Sequence, residues 1–110
     1  MRDCQKALYY YKKAADLGSS GAYNNLGVMY NYGIGVAQSY STARSYYKTA
    51  ADMGNAIACN NLGKCYEYGD KYKALKYYKK ACDLGNKDGC ANYQRLKNEM
   101  GITNDDAVLF

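Results

Sequence analysis

One short string recurs along the chain and limits the fold more than any other feature. Ala14-Ala15-Asp16-Leu17-Gly18 returns as Ala50-Ala51-Asp52-Met53-Gly54 and again as Ala81-Cys82-Asp83-Leu84-Gly85, at offsets of 36 and 31. Asn24-Asn25-Leu26-Gly27 likewise returns as Asn60-Asn61-Leu62-Gly63, 36 residues on. Periods of this length belong to arrays in which each supersecondary unit buries its apolar face against the next. Within a unit the spacing is helical. Ala22, Leu26, Met29 and Tyr30 form one apolar stripe, and Ala43, Tyr47, Ala50 and Gly54 form another, repeated by Ala7, Tyr11, Ala14, Gly18 and by Ala74, Tyr78, Ala81, Gly85. Two helices per unit follow. Gly18, Gly54 and Gly85 fall where a left-handed cap ends a helix, and Ser20, Asn55 and Asn86 are placed to start the next. Gly27 and Gly63 lie mid-helix, where glycine costs about 1 kcal/mol; close approach of a facing Tyr ring is the expected compensation.

Composition agrees with a small-residue, ring-filled core. Leu, Ile, Val and Phe number only 15 of 110 residues, a fraction typical of disordered chains, but 15 Tyr and 14 Ala offset it. The absence of His removes the commonest general base and metal ligand. No CxxC pair is present among the five cysteines, so neither a metal site nor a cofactor is called for. No run of 18 apolar residues encodes a membrane span, and MRDCQKALYYYKK lacks the apolar stretch of a secretory signal. A net charge of +5 favours solubility and does not by itself indicate nucleic acid.

These motifs resemble the Sel-1-like repeat, a relative of the tetratricopeptide repeat. The small residue, Leu-Gly, Tyr, Tyr-Gly-x-Gly-Val and Ala-x-x-Tyr-Tyr-x-Lys-Ala-Ala pattern runs through residues 22–51, with Gln38 and Ser39 where the family usually has an acidic residue. Residues 58–82 match without the Gly-x-Gly-Val loop; Tyr93-Gln94 replaces Leu-Gly in the last match. The resemblance implies an all-α chain, an α/α superhelical solenoid of five helices. Its parts are an orphan second helix over 1–18, a full repeat over 19–54, a short-loop repeat over 55–85, a terminal half-repeat over 86–101 and a tail over 102–110. Such an array looks cut, either a fragment or a surface that meets another chain through Tyr9, Tyr10 and Tyr11.

Cys82 and Cys90 flank a helix–turn–helix at an eight-residue offset that can bring their Cβ atoms into bridging range. The spacing also resembles that of the secreted, cysteine-rich Sel-1-like proteins, which staple repeats there. Cys59 lacks the corresponding partner, since position 51 is Ala. Five thiols in a reducing compartment is the other reading. The resemblance leaves location open: extracytoplasmic if the parent protein has a signal peptide, cytoplasmic otherwise.

The functional expectation is a non-catalytic scaffold whose concave face, lined by first helices, holds a protein or peptide. Asn24, Tyr32, Asn60, Lys64, Tyr68 and Arg95 are the candidate contacts: amides for an extended backbone, rings as anchors, cations for a carboxylate. The cysteine-rich relatives imply a second reading, penicillin binding or weak β-lactamase activity. Ser45-Tyr46-Tyr47-Lys48 fits S-x-x-K, but Lys12 and Lys79 recur in the Lys48 slot, no S-D-N or K-T-G follows, and no nucleophile–base pair supports an enzyme. No catalytic residue is assigned. A third reading is self-assembly through the uncapped end helices. The lysines among tyrosines suggest a nucleic-acid ridge, yet Lys12/Asp16, Lys48/Asp52 and Lys79/Asp83 at i, i+4 read as a solvated face.

Overall fold

The structure, a computed structural model, describes residues 2–103. Among the described residues six helices follow one another: α1 (Arg2–Asp16), α2 (Ser20–Tyr32), α3 (Tyr40–Asp52), α4 (Ala56–Tyr66), α5 (Lys71–Asp83) and α6 (Lys87–Glu99). The expected count of five is corrected to six, because an orphan helix at each end adds two to the four of the complete pairs. Most of the tail assigned to 102–110 lies outside the described residues. The chain divides at Asn55 into one unit of α1 to α3 and a second of α4 to α6. No helix among the described residues is long and apolar enough to cross a membrane.

Local chemistry sets the helix ends. Ser19, Ser39, Asp70 and Asn86 adopt extended backbone and accept from the N–H three residues on, at 3.1, 3.2, 3.0 and 2.7 Å. The cap of α2 is thus Ser19, not Ser20; the Ser20 hydroxyl instead accepts from the Asn55 amide at 3.1 Å. At the end of α3, Gly54 takes φ +89, its N–H donates to Ala51 O and the Asn55 N–H donates to Ala50 O. This paired arrangement satisfies two terminal carbonyls and needs a residue without a Cβ. It recurs at Gly18 and Gly85.

The core of the second unit is Ala74, Leu75, Tyr78, Tyr93 and Leu96, with Tyr66, Met100 and Ile102 packed against it. Met100 and Ile102 therefore cover part of the last helix, which the repeat pattern left bare. In the first unit Ala15, Ala22 and Leu26 are buried beneath Leu8, Tyr11, Ala14, Tyr23 and Tyr46.

Both mid-helix glycines meet rings, as their position predicts. A Cβ at Gly27 would stand 2.5 Å from the Tyr47 ring, and one at Gly63 would stand 2.6 Å from that of Tyr78. The two rings are 3% and 1% exposed and have no room to retreat. Gly63→Ala gains about 1 kcal/mol of helix propensity and incurs an overpacking cost of roughly 1–3 kcal/mol. Because the obstacle is a fixed ring, the upper part of that range applies, and a net loss of about 1–2 kcal/mol is expected in urea denaturation. A net gain would show that the ring yields.

Candidate functional site

The side chains with the most interlocked chemistry converge in the second unit. The Tyr78 hydroxyl, carried by α5, donates to Glu67 Oε1 at 2.6 Å. Arg95, on α6, grips the same carboxylate with both arms: Nη2 donates to Oε1 at 2.7 Å and Nη1 to Oε2 at 2.9 Å. Nη1 also donates to Glu99 Oε2 at 2.5 Å, and Nη2 reaches Asn92 Oδ1 at 3.4 Å. A planar guanidinium matches a carboxylate in this two-bond manner, which fixes orientation better than an ammonium would. Glu67 follows the end of α4, so the cluster ties all three helices of the unit together. Asn92 Nδ2 adds a bond to Asn60 Oδ1 at 2.9 Å.

These contacts shift the ionisation of the groups in directions the geometry explains. The hydrogen bonds from Arg95, followed by that from Tyr78, hold the Glu67 carboxyl below its ordinary range against the opposing effect of burial. Burial, followed by the Glu67 hydrogen bond, raises Tyr78. The hydrogen bonds to Glu67 and then Glu99 raise Arg95, which stays charged. Since the folded pKa of Glu67 is depressed, its contribution to stability is fully present above the unfolded value, about 4.3, and is lost as pH falls through the lower folded value. Glu67→Gln should therefore melt below the parent chain at pH 7 and approach it at pH 3. A gap unchanged between those two pH values would mean that the carboxylate charge contributes nothing.

Beside this cluster lies a cleft of about 320 Å³, lined by Lys64, Glu67, Tyr68, Tyr78, Asn92 and Arg95. Three of the expected contact residues, Lys64, Tyr68 and Arg95, meet in it. Lys64 is exposed and makes no ion pair among the described residues. Tyr68 is 95% exposed, more than any other bulky apolar side chain described. Arg95 lines the cleft with its guanidinium already held by Glu67 and Glu99. Asn60 and Asn24 are interior residues, 4% and 7% exposed. Tyr32, 68% exposed, closes α2 in the first unit. Sequence reasoning did not select Asn92 or the Tyr78 hydroxyl. Asn92 was legible, because it occupies the slot of Asn25 and Asn61; the hydroxyl had no signal beyond the recurring Tyr.

Cys82, in the last turn of α5, and Cys90, in the first turn of α6, form a disulfide with a Cα–Cα distance of 4.4 Å. Gly89 makes that approach feasible: a Cβ there would stand 2.6 Å from the Ala81 Cβ. Cys4, Cys59 and Cys65 remain thiols. On α3, Lys48 pairs with Asp52 at 3.2 Å, and Lys79 pairs with Asp83 at 3.1 Å on α5. Ser45 and Lys48 stand on an exposed stretch of α3.

Helix pairs with Gly-on-Tyr contacts and glycine-ended second helices define a helical-repeat protein of the solenoid class. The chain matches the Sel1 repeat model over residues 1–19, 20–55 and 56–86, and it belongs to that family. It is similar to c5321, a protective antigen present in uropathogenic Escherichia coli strains and displaying an SLR fold. The identity is 34%, the TM-score 0.78, and the match covers 83% of this chain and 21% of that one. A Sel1 repeat protein from Oxalobacter formigenes is similar at 31% identity and a TM-score of 0.67, over 86% of this chain and 48% of that one. The chain thus spans about a fifth and about half of those two proteins. No curated protein matches it. Sel1 repeats generally act as protein-interaction scaffolds.

Proposed function

We propose that the chain is a non-catalytic interaction module that holds a segment of another protein against the second unit. The observation that carries this reading is the 95% exposed Tyr68 ring beside a cleft in which four other lining residues are held by one hydrogen-bond network. Glu67, Tyr78, Asn92 and Arg95 are mutually bonded, so little conformational freedom is left to lose when a ligand arrives. A rigid aromatic with a polar tip is a favoured interface anchor. Lys64 supplies a cation for an acidic group, and Asn92 and Glu67 supply acceptors for backbone N–H groups. Asn60, interior, accepts from Asn92 beneath the cleft; Asn24 is interior in the first unit, where Tyr32 offers a comparable exposed ring.

The test is selection from a random displayed-peptide library on the intact, oxidised chain. Peptides containing an acidic residue near an apolar one are expected. The double variant Lys64→Glu, Tyr68→Ala should retain the helical circular dichroism of the parent and lose those peptides. Retention of the same peptides by that variant would refute the assignment.

A further inference from the structure

Three tyrosines of the first unit form one aromatic cluster. Tyr46 of α3 stacks on Tyr30 of α2, with centroids 5.6 Å apart and planes at 29°, and meets Tyr23 at 6.2 Å. All three are half-buried, so each keeps part of its surface toward solvent. The repeat supplies a template for reading them. By the sequence offsets Tyr30 and Tyr46 correspond to Tyr66 and Tyr77, which also stack, at 5.8 Å. In the second unit that pair carries its own cations. Lys73 Nζ lies 5.0 Å from the Tyr66 centroid and Lys76 Nζ 5.8 Å from that of Tyr77, both within cation–π range. The corresponding positions in the first unit are Thr42 and Ser45, which are neutral. No cation among the described residues stands over Tyr23, Tyr30 or Tyr46.

A second departure from the repeat falls at the same place. Asp52 and Asp83 are each paired with the lysine four residues before them. Their counterpart Asp16 makes no ion pair among the described residues, although Lys12 has the same spacing. Its exposed carboxylate acts on the cluster instead: burial, followed by Tyr30, Tyr23 and Asp16, pushes the Tyr46 hydroxyl up. Surroundings that resist a further negative charge attract a positive one. Tyr23 and Tyr30 each lie two positions from Asn25 and Val28, about 200° around α2. The cluster is therefore on the other side of that helix from the α1–α2 cleft that Asn25 and Val28 line.

We infer that Tyr23, Tyr30, Tyr46 and Asp16 form a site for an alkylammonium head group, the chemistry shared by choline-type molecules and lysine side chains. The ring faces attract the cation through their quadrupoles, and Asp16 adds a full opposite charge at the edge. The second unit shows the occupied form of the same pair of rings, with the lysines supplied from within the chain.

Choline is titrated into the intact, oxidised chain at constant ionic strength, and the tyrosine ring signals are followed by NMR. Saturation in the millimolar range is expected, with shifts centred on Tyr23, Tyr30 and Tyr46. The uncharged isostere, in which tert-butyl replaces trimethylammonium, should leave those signals in place. Tyr46→Leu should weaken choline about tenfold or more, and Asp16→Asn should weaken it less. Thr42→Lys with Ser45→Lys installs the lysines of the second unit; that variant should keep the circular dichroism of the parent and exclude choline. A short, glycine-flanked lysine peptide with blocked ends distinguishes the two sources. Tighter binding than choline at the same rings assigns the site to a partner's lysine, and weaker binding assigns it to a free ammonium compound. Absence of saturation by either probe at tens of millimolar would overturn the inference. So would equal shifts from the uncharged isostere, or undiminished choline binding in the folded Thr42→Lys, Ser45→Lys chain.

Discussion

Tyr78→Ala is expected to remove about 3–5 kcal/mol of stability, the range for deleting a large buried ring. The ring is 1% exposed within the core of the second unit, its face fills the space left by Gly63, and its hydroxyl holds Glu67 at 2.6 Å. A loss of that size is a large share of the 5–15 kcal/mol that keeps an ordinary domain folded. Tyr78→Phe separates the two roles: it keeps the ring, removes a hydrogen bond to a charged acceptor, and should cost about 1.5–3 kcal/mol. The repeat provides its own controls. Tyr47, 3% exposed over Gly27, should behave like Tyr78, whereas Tyr11, half-buried in α1, should cost distinctly less. Urea denaturation of the four variants checks this. A Tyr78→Ala chain within about 1 kcal/mol of the parent, less than a typical core truncation, would remove the ring from its place at the centre of the unit.

Breaking the Cys82–Cys90 bond is the second large effect. The bridge closes a nine-residue loop, and the chain-entropy relation assigns it about 2.5 kcal/mol. The native positions lie within ordinary bridging range, at a Cα–Cα distance of 4.4 Å. Cys82→Ser with Cys90→Ser should therefore lower Tm by roughly 10–20 °C. Alkylation of the denatured, unreduced chain should add three groups, on Cys4, Cys59 and Cys65, and five after reduction. Five before reduction would show that the bridge does not form in the purified protein, and the stability difference should then vanish.

The helix pairs, their glycine ends and the Gly-on-Tyr packing were all legible, because each is written two or three times at a constant offset. Repetition turns a weak local signal into a strong one, and Gly63 opposite Tyr78 is the clearest case. The cap of α2 shifted by one residue because Ser19 and Ser20 are chemically equivalent as caps; only the side-chain bond from Asn55 to Ser20 separates them. The inner-face assignment was harder. Helical spacing places Asn24 and Asn60 near Tyr32 and Tyr68 on one broad face, but it does not tell which positions a neighbouring helix covers. Asn60 turned out to lie beneath Asn92, and Arg95 is held by two carboxylates that are 28 residues before it and four after it. Contacts that depend on a substitution in a single repeat, such as Arg95 in place of Val28, leave no periodic trace.

Mapping a selected peptide onto the chain by two-dimensional amide NMR tests the central claim most directly. An interaction module that works through the second unit predicts saturable shifts centred on Lys64, Tyr68, Asn92 and Arg95, with the lysine ridge of Lys48 and Lys79 unmoved. Shifts that gather instead on that outer ridge, or none at millimolar peptide, would contradict it.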